Sequence, residues 1–322
     1  MKMGFGSKYS GRDPDNKKPY LIEGTRSIMG TSVAIAAVHP NVDEAKEAVS
    51  LAFEQVRRIE DLMSIYKQDS EVSMLNKNGF IGRATVGTIL VIKKSLRYSE
   101  LSEGAFSTCV LPLLDLWEEK LRAGKFPTET EINSVLEFTD YRNIALDGGN
   151  VQFRKSGMRI TLGGIAKGYA VDRAIEVLCH EGVNNTLVSA GGDIRALGEK
   201  ARGVPWRIAV RDPQDKRRSI TVVELRDQAI ATSGSYERHI GREMKVSHIV
   251  NSRTGQPAQG LLSTSIITKN AIDADALSTV VFLLGVERGM ELVERLDGVE
   301  ALVITGEGKV IRSSGFQRYE SS

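Results

Sequence analysis

The sequence has few of the residues and segments that mark several common protein classes. Its 322 residues include only two cysteines, Cys109 and Cys179. Two cysteines are too few for a disulfide framework, and their separation is not that of a zinc site, so we interpret both as small core residues. No apolar run is long enough to span a bilayer. The sequence therefore argues against a disulfide-stapled scaffold, a zinc module and a helical membrane protein.

The chain also lacks an excess of charge of one sign. The chain has 43 basic and 41 acidic residues and a net charge of +2, so no broad field points to a nucleic acid or an anionic membrane. A hydrophobic content of 41% suffices for a sizeable core. Residues 1–20 are polar and contain neither an apolar leader segment nor a lipobox-like cysteine, which predicts a disordered segment. We expect residues 21–322 to form one domain.

Helical periodicity dominates the first part of the chain and strand-like segments dominate the rest, which indicates an α+β fold. The predicted helices are Val42–Met63, Val86–Leu101, Val110–Ala123 and Thr128–Phe138, the last opened by a Thr-x-x-Glu capping box. The predicted strands are Thr31–Val38, Asn143–Leu146, Val151–Phe153, Met158–Leu162, Asn185–Ser189, Trp206–Val210, Ser219–Glu224, Ala229–Thr232, Ser247–Val250, Leu262–Thr268 and Ala301–Thr305.

The segment Ala274–Gly285 predicts a helix that carries a carboxylate and a hydroxyl on one face. Asp275 and Thr279 lie at i and i+4, opposite the apolar positions. Carboxylate, hydroxyl and carbonyl oxygens together suit Mg²⁺. The alternative from the residues alone is an ordinary amphipathic helix with a solvated polar face.

A second segment, Ile160–Asp172, predicts a strand end, a glycine turn and a helix start, with Gly182 placed to end the helix. Glycines before a helix let the backbone approach a phosphate, and the free N–H groups favour an anion. Lys167 would add a positive charge. Neither a Walker loop nor a complete Gly-x-Gly-x-x-Gly is present. A tight turn that carries a surface lysine is the alternative.

These segments occur in order with six others, and the whole set resembles the ApbE family of FAD:protein FMN transferases from about Ile28 to Gly285. The other six are Ile28–Thr31, Met63–Tyr66, Gly104–Phe106, Ala190–Ile194, Ala231–Gly234 and His248–Gly255. The resemblance implies a mixed β-sheet core with flanking helices, related to the T-fold. It also implies cleavage of FAD with Mg²⁺ and attachment of FMN, through a phosphoester bond, to a threonine of a partner flavoprotein.

The resemblance further implies roles for single residues. Asp275, Thr279 and the carbonyl of Gly164 would ligate Mg²⁺, and Lys167 would support the phosphates. The residues that match flavin-contacting positions are Met29, Tyr66, Ala105, Phe106 and Ile249, an apolar and aromatic set that suits a flat ring. His248 is the candidate base for the acceptor hydroxyl. A structural histidine is the alternative for that position.

Several positions depart from the family pattern. Ser107 and Thr161 stand where relatives carry FAD-contacting aspartates, and Cys109 stands where they carry threonine. Asn251-Ser252 replaces an Asp-Pro pair. Loss of a charged acceptor weakens a hydrogen bond by about 1 kcal/mol. We therefore expect altered FAD recognition, and tighter FAD binding when aspartate is restored at either of the first two positions.

The expected partner is a flavoprotein subunit with a Ser/Thr-Gly-Ala-Thr-type segment, such as a redox-pump subunit or a secreted reductase. We expect a monomer or homodimer that works in the cytoplasm, or an exported lipoprotein if a leader has been removed. Two other functions stay open: a Mg²⁺-dependent pyrophosphatase that splits FAD into FMN and AMP, and a flavin-nucleotide binding protein without turnover.

Overall fold

The computed structural model describes residues 19–215, 217–235, 239–240 and 246–321. The α-helices in these ranges are α1 (Val42–Met63), α2 (Glu71–Asn78), α3 (Val86–Leu101), α4 (Leu111–Arg122), α5 (Glu129–Leu136), α6 (Ala166–His180) and α7 (Ala271–Glu294). The strands are β1 (Tyr20–Ile28), β2 (Thr31–His39), β3 (Phe80–Ile81), β4 (Ile144–Asp147), β5 (Asn150–Phe153), β6 (Thr186–Ala190), β7 (Asp193–Leu197), β8 (Trp206–Arg211), β9 (Ser219–Leu225), β10 (Gln228–Gly234), β11 (His239–Ile240), β12 (Val246–Ser247), β13 (Leu261–Thr268), β14 (Glu300–Thr305) and β15 (Val310–Arg312).

Eight strands form the central sheet, in the order β1-β2-β6-β7-β10-β13-β14-β15. Each strand pairs antiparallel with its neighbours in this sheet. The predicted α+β class is confirmed, although the expected mixture of strand directions is not found in the central sheet. Short connections favour the antiparallel arrangement for the pairs β1–β2, β6–β7 and β14–β15, whereas longer segments join the other neighbours.

Both faces of the central sheet are covered. Helices α1, α6 and α7 pack on one face, and their apolar side chains form the main core with those of the strands. The β8–β9 hairpin and the short 3₁₀ helix Phe316–Tyr319 lie against the other face. All six residues of β14 are buried for this reason.

Local signals account well for the helices in the first part of the chain. The apolar positions of α1 recur at helical spacing, and the Asn41 side chain caps its start by accepting from the N–H groups of Asp43 and Glu44. The predicted bounds of α1 and α3 are confirmed. The capping box at Thr128 is also confirmed, because both of its reciprocal hydrogen bonds are present.

The strand predicted at Met158–Leu162 is wrong. This segment forms no strand and joins no sheet. The side-chain amide of Asn76 takes the place of a partner strand, since it accepts from the Ile160 N–H at 2.7 Å and donates to the Ile160 carbonyl at 2.8 Å. One distant side chain thus satisfies the backbone groups that a sheet would otherwise pair.

Other boundaries also differ from the predictions. Of the strand predicted at Ser247–Val250, only Ser247 belongs to β12, and Val250 forms a single bridge with Pro257. Residues 1–18 of the predicted disordered segment lie outside the described residues, whereas Tyr20 already begins β1. The assignment of residues 21–322 to one domain stays a prediction. In the described part of the chain, no helix has the length and apolar character needed to cross a membrane.

Candidate functional site

Asp275 lies in the second turn of α7 and is only 3% exposed. Its Oδ2 atom accepts from the Gly168 N–H in the first turn of α6, at 2.9 Å. Its Oδ1 atom lies 3.4 Å from the Lys167 ammonium. The alternative of a solvated polar face is therefore wrong. The start of α7 is buried because it packs between α6 and strands β10 and β13.

Lys167 is held between two carboxylates. Its ammonium forms an ion pair with Asp193, the first residue of β7, and a longer one with Asp275. Burial alone would lower the pKa of Lys167, but the two carboxylates outweigh it and hold the pKa above its ordinary value. A surface lysine is thereby excluded. Asp193 belongs to the family segment Ala190–Ile194, but its role is visible only in the fold, which brings β7 beside α6.

Thr279 lies one helical turn after Asp275 and faces hydroxyl groups of the central sheet. Its Oγ1 atom is 3.0 Å from Ser233 Oγ on β10, and Ser233 Oγ is 2.7 Å from Ser278 Oγ. Ser278 in turn donates to the Asp275 carbonyl at 2.8 Å. The local sequence around Thr279 does not indicate Ser233 as its partner. Ser233 lies in the family segment Ala231–Gly234, which was the available signal.

Gly164, the third predicted ligand, lies in the turn before α6, beside Thr279 and Phe106. A Cβ atom built at Gly164 would be 3.2 Å from the Phe106 ring and 3.8 Å from Thr279 Oγ1. The absence of a side chain permits this close approach. The fold thus brings the three predicted metal ligands to one place with Lys167. We call these residues and Asp193 the carboxylate side of the site.

The carboxylate side fits a hard divalent cation. Within the ranges that the structure describes, no three or more His, Cys, Asp or Glu residues are grouped in a way that could hold a metal ion. A cation here would depend instead on one carboxylate with hydroxyl and carbonyl oxygens, which is a donor set for Mg²⁺ and not for a transition metal.

Met29 and Tyr66 lie on neighbouring loops. Met29 and Gly30 both have positive φ in the two-residue turn between β1 and β2. The Met29 N–H donates to Glu60 Oε1 at 2.7 Å, and Lys67 donates to Glu60 Oε2 at 3.0 Å. Tyr66, beside Lys67, is 90% exposed. Glu60 therefore connects the two loops that carry these predicted flavin contacts, a role that sequence analysis missed.

The other predicted ring contacts are buried. Ala105, Phe106 and Ile249 are each less than a tenth exposed. The Ser252 N–H donates to the Ala105 carbonyl at 3.0 Å, so the segment after Ile249 is joined to the segment of Phe106. We call these three residues, together with the predicted contacts Met29 and Tyr66, the apolar side of the site.

The two positions that lack the family aspartates differ from each other. Ser107 is 4% exposed, and its hydroxyl donates to the Thr139 carbonyl at 2.9 Å and accepts from the Cys109 N–H at 3.1 Å. The Ser107 hydroxyl is therefore already used within the protein. Thr161 is half-buried at the start of the glycine turn, and its hydroxyl accepts a hydrogen bond from the Gly163 N–H.

His248 is half-buried in the bend that follows β12. The next residue, Ile249, packs in the main core, and its carbonyl accepts from the Ala258 N–H at 2.8 Å. This anchoring fixes the backbone beside His248. The role of His248 as a base stays a prediction.

The chain is similar to proteins of known name along most of its length. A model of the ApbE family matches residues 29–303. The FAD:protein FMN transferase of Vibrio cholerae is 32% identical over 302 residues, which cover 91% of this chain and 89% of that protein. The crystal structure of the ApbE protein of Thermotoga maritima superposes with a TM-score of 0.85 at 33% identity, covering 94% of this chain and 100% of that chain. The flavin transferase ApbE from Vibrio cholerae gives a TM-score of 0.79 at 30% identity, with coverage of 94% and 99%.

Proposed function

The chain belongs to the ApbE family, and from this premise we propose that it is an FAD:protein FMN transferase. The acceptor is a threonine in a Ser/Thr-Gly-Ala-Thr-type segment of a flavoprotein. The threonine oxygen attacks the phosphorus on the FMN side of the pyrophosphate. A new P–O bond forms to the threonine, the P–O bond to AMP breaks, and AMP leaves. The threonine proton passes to a base.

The observation that carries this proposal is the convergence of Lys167, Asp275, Thr279 and Gly164 at the start of α6. A pyrophosphate is an anion, and a helix N-terminus with a charged lysine favours anions. Because the Lys167 ammonium is retained by two carboxylates, its charge is present over the whole neutral pH range. Lys167, Asp193 and Asp275 together carry a net charge of −1, which attracts a cation, and the two carboxylates hold the Lys167 ammonium in place for a phosphate oxygen without reorganisation during the reaction.

The proposed cation is Mg²⁺, held by the Asp275 carboxylate, the Thr279 hydroxyl and the Gly164 carbonyl. When bound, Mg²⁺ supplies neutralisation of the charge on the pyrophosphate oxygens. Thr279 has one hydroxyl proton, which it can donate to Ser233, 3.0 Å away, while a lone pair stays available to the cation. Ser233 thereby orients the ligand oxygen.

The remaining residues bind the flavin and handle the acceptor proton. Ala105, Phe106 and Ile249 are the proposed apolar contacts of the flat ring, together with Met29 and Tyr66 on the two loops that Glu60 connects. His248 is the proposed base. A neutral imidazole can accept the threonine proton near neutral pH.

The test uses the full chain with FAD, Mg²⁺ and a peptide that contains the segment Ser-Gly-Ala-Thr. A matched peptide with alanine in place of the threonine serves as control. We expect a mass gain of one FMN group, attached as a phosphoester, on the first peptide alone. Free FMN and AMP without peptide modification would instead indicate the pyrophosphatase, and absence of both products would indicate a binding protein.

The variant His248→Ala tests the base. Its transfer rate in a single turnover should fall by roughly a hundredfold, since general base catalysis contributes 10²–10⁴-fold, while the FAD dissociation constant changes little. Transfer near the wild-type rate, or an equal loss of affinity and rate, would assign His248 a binding or structural role.

A further inference from the structure

Helices α6 and α7 both begin without a side-chain cap of their own. The side chains at their N-cap positions, Ile165 and Asn270, accept no hydrogen bond from the N–H groups of the helix that follows. The first N–H groups of any α-helix lack partners within the helix. Since both helix starts are buried, those N–H groups need acceptors from elsewhere in the protein.

Each helix supplies the acceptor for the other. Asp172, in the second turn of α6, accepts from the N–H groups of Ala271 and Ile272 at the start of α7, both at 2.9 Å. Asp275, in the second turn of α7, accepts from the Gly168 N–H at the start of α6 at 2.9 Å. The two carboxylates therefore form reciprocal caps. A shift of either helix would lengthen the hydrogen bonds of Asp172 and also those of Asp275.

The backbones of the two helices are also in close contact. A Cβ atom built at Gly168 would lie 2.2 Å from the Ala271 carbonyl oxygen and 2.8 Å from the Asp275 Cβ atom. No side chain fits between the helices at this point. The two helix backbones are therefore in direct contact at Gly168, and the two carboxylate caps hold them at this distance.

Strand β7 holds both caps from the sheet. Its Arg195 donates to Asp172 at 2.7 Å, and its Asp193 pairs with Lys167. Residues two apart on a strand point to the same side, so both pairs lie beneath α6. On β7 the negative Asp193 is followed by the positive Arg195, and on α6 the positive Lys167 is followed by the negative Asp172. This arrangement neutralises Asp172, which would otherwise be a buried unpaired charge.

We propose that Asp172 is a positioning residue that sets the place of Asp275 relative to Gly164 and Lys167, and thereby the cation affinity of the site. The inference rests on the cation site of the proposed function. Asp172 is not among the proposed ligands: its two oxygens accept from the N–H groups of Ala271 and Ile272, and Oδ1 also accepts from Arg195. Its effect passes through the helix start to Asp275, one turn along α7.

The first test is titration of the full chain with Mn²⁺, as a spectroscopic substitute for Mg²⁺, followed by electron paramagnetic resonance. We expect Asp172→Ala to weaken Mn²⁺ binding at least tenfold, the scale found for residues that orient metal ligands. Asp172→Asn retains an acceptor oxygen and should lie between this variant and the wild type. If Asp172→Ala does not fold, the Mn²⁺ affinity of Asp172→Asn tests the proposal instead.

Thr128→Ala is the matched control, because it removes the cap of α5 and leaves the helices of the site unchanged. It should lower the melting temperature without changing Mn²⁺ affinity. An unchanged Mn²⁺ affinity in both Asp172 variants would overturn the positioning role alone. Absence of Mn²⁺ binding in the wild type would overturn the cation site itself, and the inference with it.

A second measurement needs no cation. In hydrogen exchange of the metal-free protein, Asp172→Asn should speed exchange at Ala271 and Ile272 and also at Gly168, which lies on the other helix and is bonded to Asp275. Thr128→Ala should leave all three amides unchanged. Faster exchange confined to Ala271 and Ile272 would show that the caps are independent and would overturn the reciprocal arrangement.

Discussion

The two sides of the candidate site differ in how much of their hydrogen bonding is already complete. On the carboxylate side, Asp275 and Lys167 are bonded within the protein, and the residues around them are largely buried. On the apolar side, Phe106 is buried but Tyr66 is 90% exposed on a loop. A ligand therefore meets a preformed charge arrangement on one side and a side chain that must become ordered on the other.

The difference teaches that one residue can serve both structure and chemistry on the carboxylate side. Asp275 is the proposed ligand and also the cap of α6. Helical spacing alone predicts that Asp275 faces a solvent-accessible site, so that its removal would leave the fold intact. Its burial and its bond to Gly168 overturn that expectation.

The largest effect is expected from Asp275→Ala. Turnover should fall by at least a hundredfold, because Mg²⁺ loses its only proposed carboxylate ligand. Stability should also fall, by about 1–3 kcal/mol, since the Gly168 N–H loses its acceptor and Lys167 keeps only Asp193. Asp275→Asn can still accept from Gly168 and should recover part of the stability but not the activity. Urea denaturation and FAD turnover measure the two losses. Wild-type stability in the alanine variant would place Asp275 outside the α6 cap.

Ser233→Ala should have the next largest effect. Loss of the partner 3.0 Å from the Thr279 hydroxyl should weaken Mg²⁺ binding about tenfold, with little change in FAD affinity. Thr232→Ala is the matched control, because the Thr232 hydroxyl bonds to Ser265 and not to Thr279. The Mg²⁺ dependence of turnover distinguishes them. Equal Mg²⁺ requirements in both variants would remove Ser233 from the site.

Restoring the family aspartates tests one position beside each side of the site: Ser107, next to Phe106, and Thr161, in the turn that carries Gly164. The sequence alone predicts tighter FAD binding from either change, but the structure separates them. Thr161→Asp should tighten binding by about 1 kcal/mol, because Thr161 is half-buried at the glycine turn. Ser107→Asp should lower the melting temperature instead, since it places a carboxylate where Ser107 donates to the Thr139 carbonyl. FAD titration and thermal unfolding of both variants measure these outcomes. Tighter binding in Ser107→Asp without loss of stability would show that Ser107 reaches the ligand.

The smallest effect concerns the pH dependence of stability, which the Cys109 thiol should change only at alkaline pH. Burial raises the pKa of the Cys109 thiol to about 12, against a partial lowering by its contact with Ser107. Above about pH 8.5 the unfolded chain loses the thiol proton while the folded protein retains it, so stability falls as pH rises. Between about pH 8.5 and 10 the loss should be roughly 1.5 kcal/mol greater for the wild type than for Cys109→Ala. Urea denaturation across this range measures the difference. If the stability of the wild type and of Cys109→Ala changed equally with pH, the Cys109 thiol would be accessible to water.

Local signals in the sequence determined the helices α1 and α3, the capping box of α5, the start of α6 at the glycine turn, and the types of residue in the site. Helical periodicity and helix caps connect positions three or four apart, so the sequence itself contains them. The eight family segments likewise indicated where Gly164, Lys167, Asp275 and Thr279 would be found.

Only the tertiary structure decided how these residues are bonded. Asp193 reaches Lys167, Asp172 caps α7 and Asn76 takes the place of a strand beside Ile160, each across a long stretch of chain. The polar groups of Asp172 and Asp275 could not be distinguished from solvated surface residues by pattern, since a carboxylate on a helix is normally exposed. Their burial depends on N–H groups and cations from other elements, which meet only when the chain has folded.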